Sequence, residues 1–319
     1  MHRSKVSLSV AAKAAAARLF PGALPMTAQA KRLTGMLRTG FDFRPERVAL
    51  ATSMDPTAPF PSEDIGASVA KALSVGSSQL EAMPLGGLGG LPFVGKAGWG
   101  LFWNRALEAG RSDLLMVYGC STDVDASGEV GGGHASSAAA AFAVVERAGG
   151  ISGLSDDLLR DRNDVQHAAL LLELCRAYEP ELAPHPDPRA KLPFVQFSAV
   201  QGRLREVVDW GGFRGDGPRL AALGGITLHV HGSGEPSFLP LAFEVFDPAE
   251  GALHDILADE FEQGPSGGDG YDDDGDGSDV NSSAGNKWGE SETPTGPPLP
   301  VRLHHKLLFP LDMGGGEQI

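Results

Sequence analysis

Few side chains in this sequence are of the kinds that do chemistry, and most of them stand alone. The chain has two cysteines, Cys120 and Cys175. A thiolate ligates soft metals or attacks electrophiles, whereas a thiol among apolar neighbours is inert. Cys175 lies in an apolar helical stretch and reads as core. Cys120 follows an apolar run, where the carboxyl ends of an open α/β sheet form a ligand crevice; a small buried thiol is the favoured reading there. His229 and His231 are two residues apart, so on a strand both would face the same side, a spacing that can hold a metal. Two ligands without a third favour satisfied or surface histidines. Asp123 and Asp125 share that spacing and read as turn residues near a strand end.

Two motifs imitate ion sites. Gly90, Gly95 and Lys96 follow the phosphate-loop pattern, but Ala97 stands where the magnesium-binding hydroxyl belongs. A glycine-rich turn that lets backbones approach closely is the better reading. Asp272, Asp274, Asp276 and Gly277 resemble the opening of a calcium loop. Its twelfth position is Ser283 rather than glutamate, so a solvated acidic linker is expected.

The elements that must position these residues follow from periodicity. Helical patterns cover residues 10–19, 28–37, 62–73, 101–109 and 136–147, the last ended by Gly149 and Gly150. A further helical section spans 156–178, is broken before Pro180, and leads into a proline-rich linker. Residues 47–53 and 113–118 read as buried strands, with 225–231 and 241–246 as further candidates. Buried strands alternating with helices indicate a parallel sheet.

Composition excludes several classes. A net charge of −15 argues against nucleic acid. No apolar run approaches the roughly 18 residues that span a bilayer. Two cysteines rule out a disulfide scaffold and suit a reducing compartment. From residue 1 to 41 there is no acidic side chain, while Arg3, Lys5, Lys13, Arg18, Lys31, Arg32 and Arg38 are basic. Such a start reads equally as an organelle transit peptide and as an alanine-rich surface helix. Residues 264–300 are rich in Gly, Ser, Asp and Pro and cannot bury enough apolar surface to order themselves. The apolar piece 301–311 could then return as a strand.

Five stretches, taken in order, resemble the limiting-CO2-inducible protein B/C family. They are Phe20-Pro-Gly-Ala-Leu24; the glycine block 86–98; residues 114–131 with Tyr118-Gly119, Asp125 and Gly128-Glu-Val-Gly131; the acidic helix opening at 161–172; and 223–229 followed by Pro236-Ser-Phe238 and Phe243-Glu244. The resemblance implies an α/β, β-carbonic-anhydrase-like fold: a mostly parallel central sheet flanked by helices, followed by a disordered acidic C-terminal segment. It divides the chain into a basic start (1–19), the domain (20–262), the linker (263–300) and a tail (301–319).

Active members of that family bind zinc through cysteine, histidine and cysteine. Zinc lowers the pKa of its water to about 7 and so supplies the hydroxide that attacks CO2. Carried over residue by residue, the first cysteine falls at Met54, beside Asp55 in an Asp55-Pro56-Thr57 turn. The histidine falls at Ser121, and the second cysteine in 137–140, at Ala139. Thioether, hydroxyl and methyl do not make a zinc site, so no cofactor is expected. The resemblance implies a degenerate, metal-free member serving inorganic-carbon handling as a structural or regulatory subunit. It would act as a homodimer or as a heteromer with an active paralogue, in a plastid or other organelle stroma or in the cytoplasm. Two alternatives remain open: an active zinc enzyme rebuilt on Cys120, His134 and Asp55, and a non-catalytic small-molecule binder in the old pocket.

Overall fold

The structure, a computed structural model, describes residues 2–57, 64–74, 80–131 and 136–258, with side chains from residue 10 onward. Helix α1 (His2–Leu19) leads through the two-residue strand β1 (Leu24–Pro25) to α2 (Met26–Phe41). Next come β2 (Val48–Ser53), α3 (Ile65–Leu73), β3 (Ala82–Pro84), α4 (Gly95–Glu108) and β4 (Asp113–Val124). Helices α5 (Ser137–Ala148), α6 (Asp156–Leu159), α7 (Val165–Ala177) and α8 (Pro188–Val207) precede β5 (Arg219–Val230), β6 (Ser237–Asp247) and β7 (Ala252–Asp255).

The seven strands form one sheet in the order β1-β6-β5-β4-β2-β3, with β7 also paired to β6. Strands β3, β2, β4 and β5 run parallel, while β6 is antiparallel to β5, β1 and β7. The sheet is therefore parallel at its centre and antiparallel on one flank, where β5 and β6 are joined by the short turn after Val230 rather than by a helical crossover. Strand β4 explains the parallel core. All twelve of its residues are buried, which is what a strand covered by helices on both faces requires.

Those two faces carry separate cores. On one, Met116, Tyr118 and Cys120 meet Trp99 of α4, Phe142 of α5, Leu171 of α7 and Phe197 of α8. On the other, Leu115 and Val117 meet Leu33 and Leu37 of α2 and Val69 and Leu73 of α3. Residue alternation along β4 sorts them. Helix α1 also joins the first face, where Ala12 is fully buried.

Most predicted elements are present, and the differences have local causes. The pattern at 156–178 is two helices, α6 and α7, separated where Asp164 caps α7 by accepting from the His167 amide. The stretch beyond Pro180, expected as linker, contains the twenty-residue helix α8. Asp187 caps it by accepting from the Ala190 amide and Pro188 occupies its first turn, a start signal that the surrounding prolines obscured. Pro193 lies inside the helix and removes one ladder hydrogen bond, which the buried apolar face outweighs. Strand β5 ends at Val230, so His231 is an exposed turn residue and shares no strand face with the half-buried His229. The acidic stretch with Asp272, Asp274 and Asp276, the returning piece at 301–311 and His134 lie outside the described residues.

Candidate functional site

Strand β2 hands the chain to α3 on one face of the sheet, and β4 hands it to α5 on the other. The carboxyl ends of these neighbouring strands therefore border a crevice, the place where open α/β sheets hold ligands. Three loops close on it: the turn after β2, the glycine block before α4, and the first turn of α5.

The glycines set how tightly those loops approach. A Cβ on Gly90, at φ +79°, would lie 2.0 Å from the Gly119 carbonyl oxygen, and one on Gly119 would lie 1.9 Å from that of Gly225. The glycine block is thus pressed against the backbone of β4. Lys96 is an exposed residue in the first turn of α4.

Hydrogen bonds then fill the crevice. Ser53, the last residue of β2, donates its hydroxyl to the Gly90 carbonyl at 2.8 Å. Asp55 is buried, with 3 % of its surface exposed. Its Oδ1 accepts from the Thr57 amide at 2.9 Å and the Thr57 hydroxyl at 2.7 Å. Its Oδ2 accepts from the Ser137 hydroxyl at 2.5 Å. Ser137 in turn accepts from the Gly89 amide at 2.7 Å, and the Gly89 carbonyl accepts from Gln196 Nε2 of α8 at 2.8 Å. One continuous chain, Asp55–Ser137–Gly89–Gln196, ties β2, α5, the glycine block and α8 together. Hydrogen bonds to a carboxylate are the strong ones in such a network.

Cys120 borders the same crevice from β4. Its thiol donates to the Pro193 carbonyl at 3.2 Å. Burial, aided by the nearby negative charge of Asp55, pushes the thiol far above its ordinary range. At neutral pH it is a thiol.

Asp55 reaches the first turn of α5, the element that carries Ala139. The Met54 side chain packs against the α2–α3 core, and Ala139 packs against the opposite one. Ser121 alternates with Cys120 along β4 and lies beside Thr227; it is buried, and its Oγ has no hydrogen-bond partner among the described residues. Met54 and Ala139 therefore pack against different cores of the sheet. The residues hydrogen-bonded in one chain with Asp55 are Ser137, Gly89 and Gln196. Ser137 lay within the interval considered for the second cysteine, but Gln196 was out of reach without α8. Asp125 closes the 125–129 turn, accepting from Ser127 and Glu129, as a turn residue would. Cys175 is buried core.

These donors do not fit zinc. Both oxygens of Asp55 are engaged, and Ser53 and Ser137 offer neutral hydroxyls already in use. Among the described residues, no three His, Cys, Asp or Glu side chains are grouped so as to hold one metal ion. Nor is any helix among them long and apolar enough to cross a membrane.

The family model described as "Limiting CO2-inducible proteins B/C beta carbonic anhydrases" matches residues 23–247. The chain belongs to this family. The match starts just before α2 and ends with β6, so it takes in the whole crevice. A crystal structure of PtLCIB4, a homologue of the limiting CO2-inducible protein LCIB, is similar with a TM-score of 0.61 and 23% identity, covering 76% of this chain and 98% of that one. The crystal structure of LCIB itself is similar with a TM-score of 0.52 and 13% identity, covering 75% and 95%. At these identities the likeness is one of fold. No curated protein matches the chain.

Proposed function

We propose that this limiting-CO2-inducible B/C protein is a metal-free member of its family, acting in inorganic-carbon handling as a structural or regulatory subunit rather than as a catalyst. The observation that carries this reading is the state of Asp55. A carboxylate that serves a zinc site takes hydrogen bonds from the metal's own ligands, whereas this one takes them from the Thr57 amide and the hydroxyls of Thr57 and Ser137. The hydrogen-bond chain that closes it also fixes the loops from which a metal site would have to be assembled. Such a protein works through its surfaces, as a homodimer or beside a ligand-complete paralogue.

Zinc analysis of the purified full chain, paired with stopped-flow CO2 hydration, tests the proposal. Sub-stoichiometric zinc and hydration at the uncatalysed rate are expected, unchanged in Cys120→Ala. One zinc per chain that is lost in Cys120→Ala or His134→Ala, with hydration above background, would overturn it in favour of a rebuilt enzyme.

A further inference from the structure

In a chain of net charge −15, two neighbouring helices carry charged side chains of positive sign alone. Helices α2 and α3, which cover one face of the sheet, contain Lys31, Arg32, Arg38 and Lys71 and no acidic residue. Lys31 and Arg38 are seven residues apart and share one side of α2. Gly35 lies between them, with nothing within 4 Å of where its Cβ would be. Arg38 donates to the Ala72 and Leu73 carbonyls at the end of α3, which brings it beside exposed Lys71. The result is a stripe running from the middle of α2 to the last turn of α3. Among the described residues, acidic groups at its borders are engaged: Glu235 with Thr27, Asp42 with Arg44, Asp64 as the cap of α3, and Asp255 with the Ala258 amide.

The last described residues lie beside this stripe. His254 of β7 packs edge-on against Phe41 at the end of α2, with ring centroids 5.2 Å apart. Ile256 and Leu257 then join the core beneath α2 and α3, and description stops at Ala258. The sequence that follows holds Asp259, Glu260 and Glu262 and then the denser run Asp269, Asp272, Asp273, Asp274, Asp276 and Asp279, with no basic residue from 259 to 279. An extended stretch from residue 258 to 272 reaches at most about 50 Å, whereas sixteen-residue α2 is about 24 Å long. The whole stripe lies within reach.

From the charge complementarity and the point of exit we infer that the α2–α3 stripe is a docking surface for the acidic segment 269–279 of the same chain. The contact is electrostatic, held by Lys31, Arg38 and Lys71, and any other anionic partner for this face must displace the segment. It is independent of whether the crevice binds metal.

Zero-length carbodiimide coupling, which joins a carboxylate to an amine in direct contact, tests this on the full chain. At low salt, peptides containing Lys31 or Lys71 should be coupled to those containing 269–279. Their yield should fall roughly tenfold in 1 M NaCl, where the Debye length is about 3 Å, and likewise in the D272N/D273N/D274N/D276N variant. Lys13 and Lys96, carried by helices packed on the opposite face, serve as controls. Coupling to these as often as to Lys31 and Lys71, or no coupling at all, overturns the inference. So does coupling only between chains when isotope-labelled and unlabelled protein are mixed.

Discussion

Ser137 holds two partners with one oxygen, donating to Asp55 and accepting from the Gly89 amide. Ser137→Ala would leave a buried carboxylate oxygen and a backbone donor short of a bond each, so about 1–3 kcal/mol should be lost. A urea midpoint shift with unchanged slope is the readout. Ser137→Thr, which keeps the hydroxyl, should recover part of it. Cys120 offers a second test at this scale. Its thiol is buried and its pKa is raised, chiefly by burial and then by Asp55. The folded state therefore keeps the proton to higher pH than the unfolded chain does. That contribution to stability is fully present below the ordinary thiol pKa of about 8.5 and is lost as pH rises above it. Buried Tyr118, whose hydroxyl accepts from Gln201, shifts in the same direction. Thermal melts should show stability declining above roughly pH 8.5, with the first part of the decline absent in Cys120→Ser. Neither cysteine should react with a thiol reagent at neutral pH until the protein unfolds.

At the scale of elements, the crevice depends on backbones that touch. Gly90→Ala adds a methyl against the Gly119 carbonyl at a positive φ, so about 3 kcal/mol or more should be lost. Gly202, exposed on α8 with open space around it, gives the opposite expectation. Gly202→Ala should stabilise by about 0.5–1 kcal/mol through helix propensity. Opposite signs from the same substitution, read by chemical denaturation, would separate close approach from propensity. Helix α8 also shows why the sequence left part of the site hidden. Pro180, Pro184, Pro186, Pro188 and Pro193 read as a linker. Yet Pro193 sits in a helix whose Phe197, Val200 and Leu204 are fully buried. Burial against the sheet overrode local preference, and with α8 came Gln196 and the Pro193 carbonyl.

The molecule as a whole is tied at the opposite end of the sheet by Asp113, which is fully buried. Arg219 reaches it at 2.7 Å from β5, Arg47 at 3.4 Å, and the Arg219 guanidinium also lies over the Phe43 ring at 4.8 Å. Burial raises the Asp113 pKa although Arg219 opposes it, which marks a carboxylate that needs its partner. Arg219→Ala should cost about 3–5 kcal/mol by stranding that charge. Asp113→Asn in the same background should restore part of the loss, as a double-mutant cycle would reveal.

Strand runs, helix periods and the ordered glycine and acidic signatures sufficed for the α/β class, the family and the turn of Asp55-Pro56-Thr57, because each depends on neighbours in sequence. The partners of Asp55 and Cys120, the opposite orientations of Met54 and Ala139 and the antiparallel flank of the sheet were decided only in three dimensions. Hydrogen bonds such as Ser137 to Asp55 and Cys120 to Pro193 join residues more than seventy positions apart. No local pattern encodes which strand face meets which helix; that follows from how two apolar cores divide a single sheet.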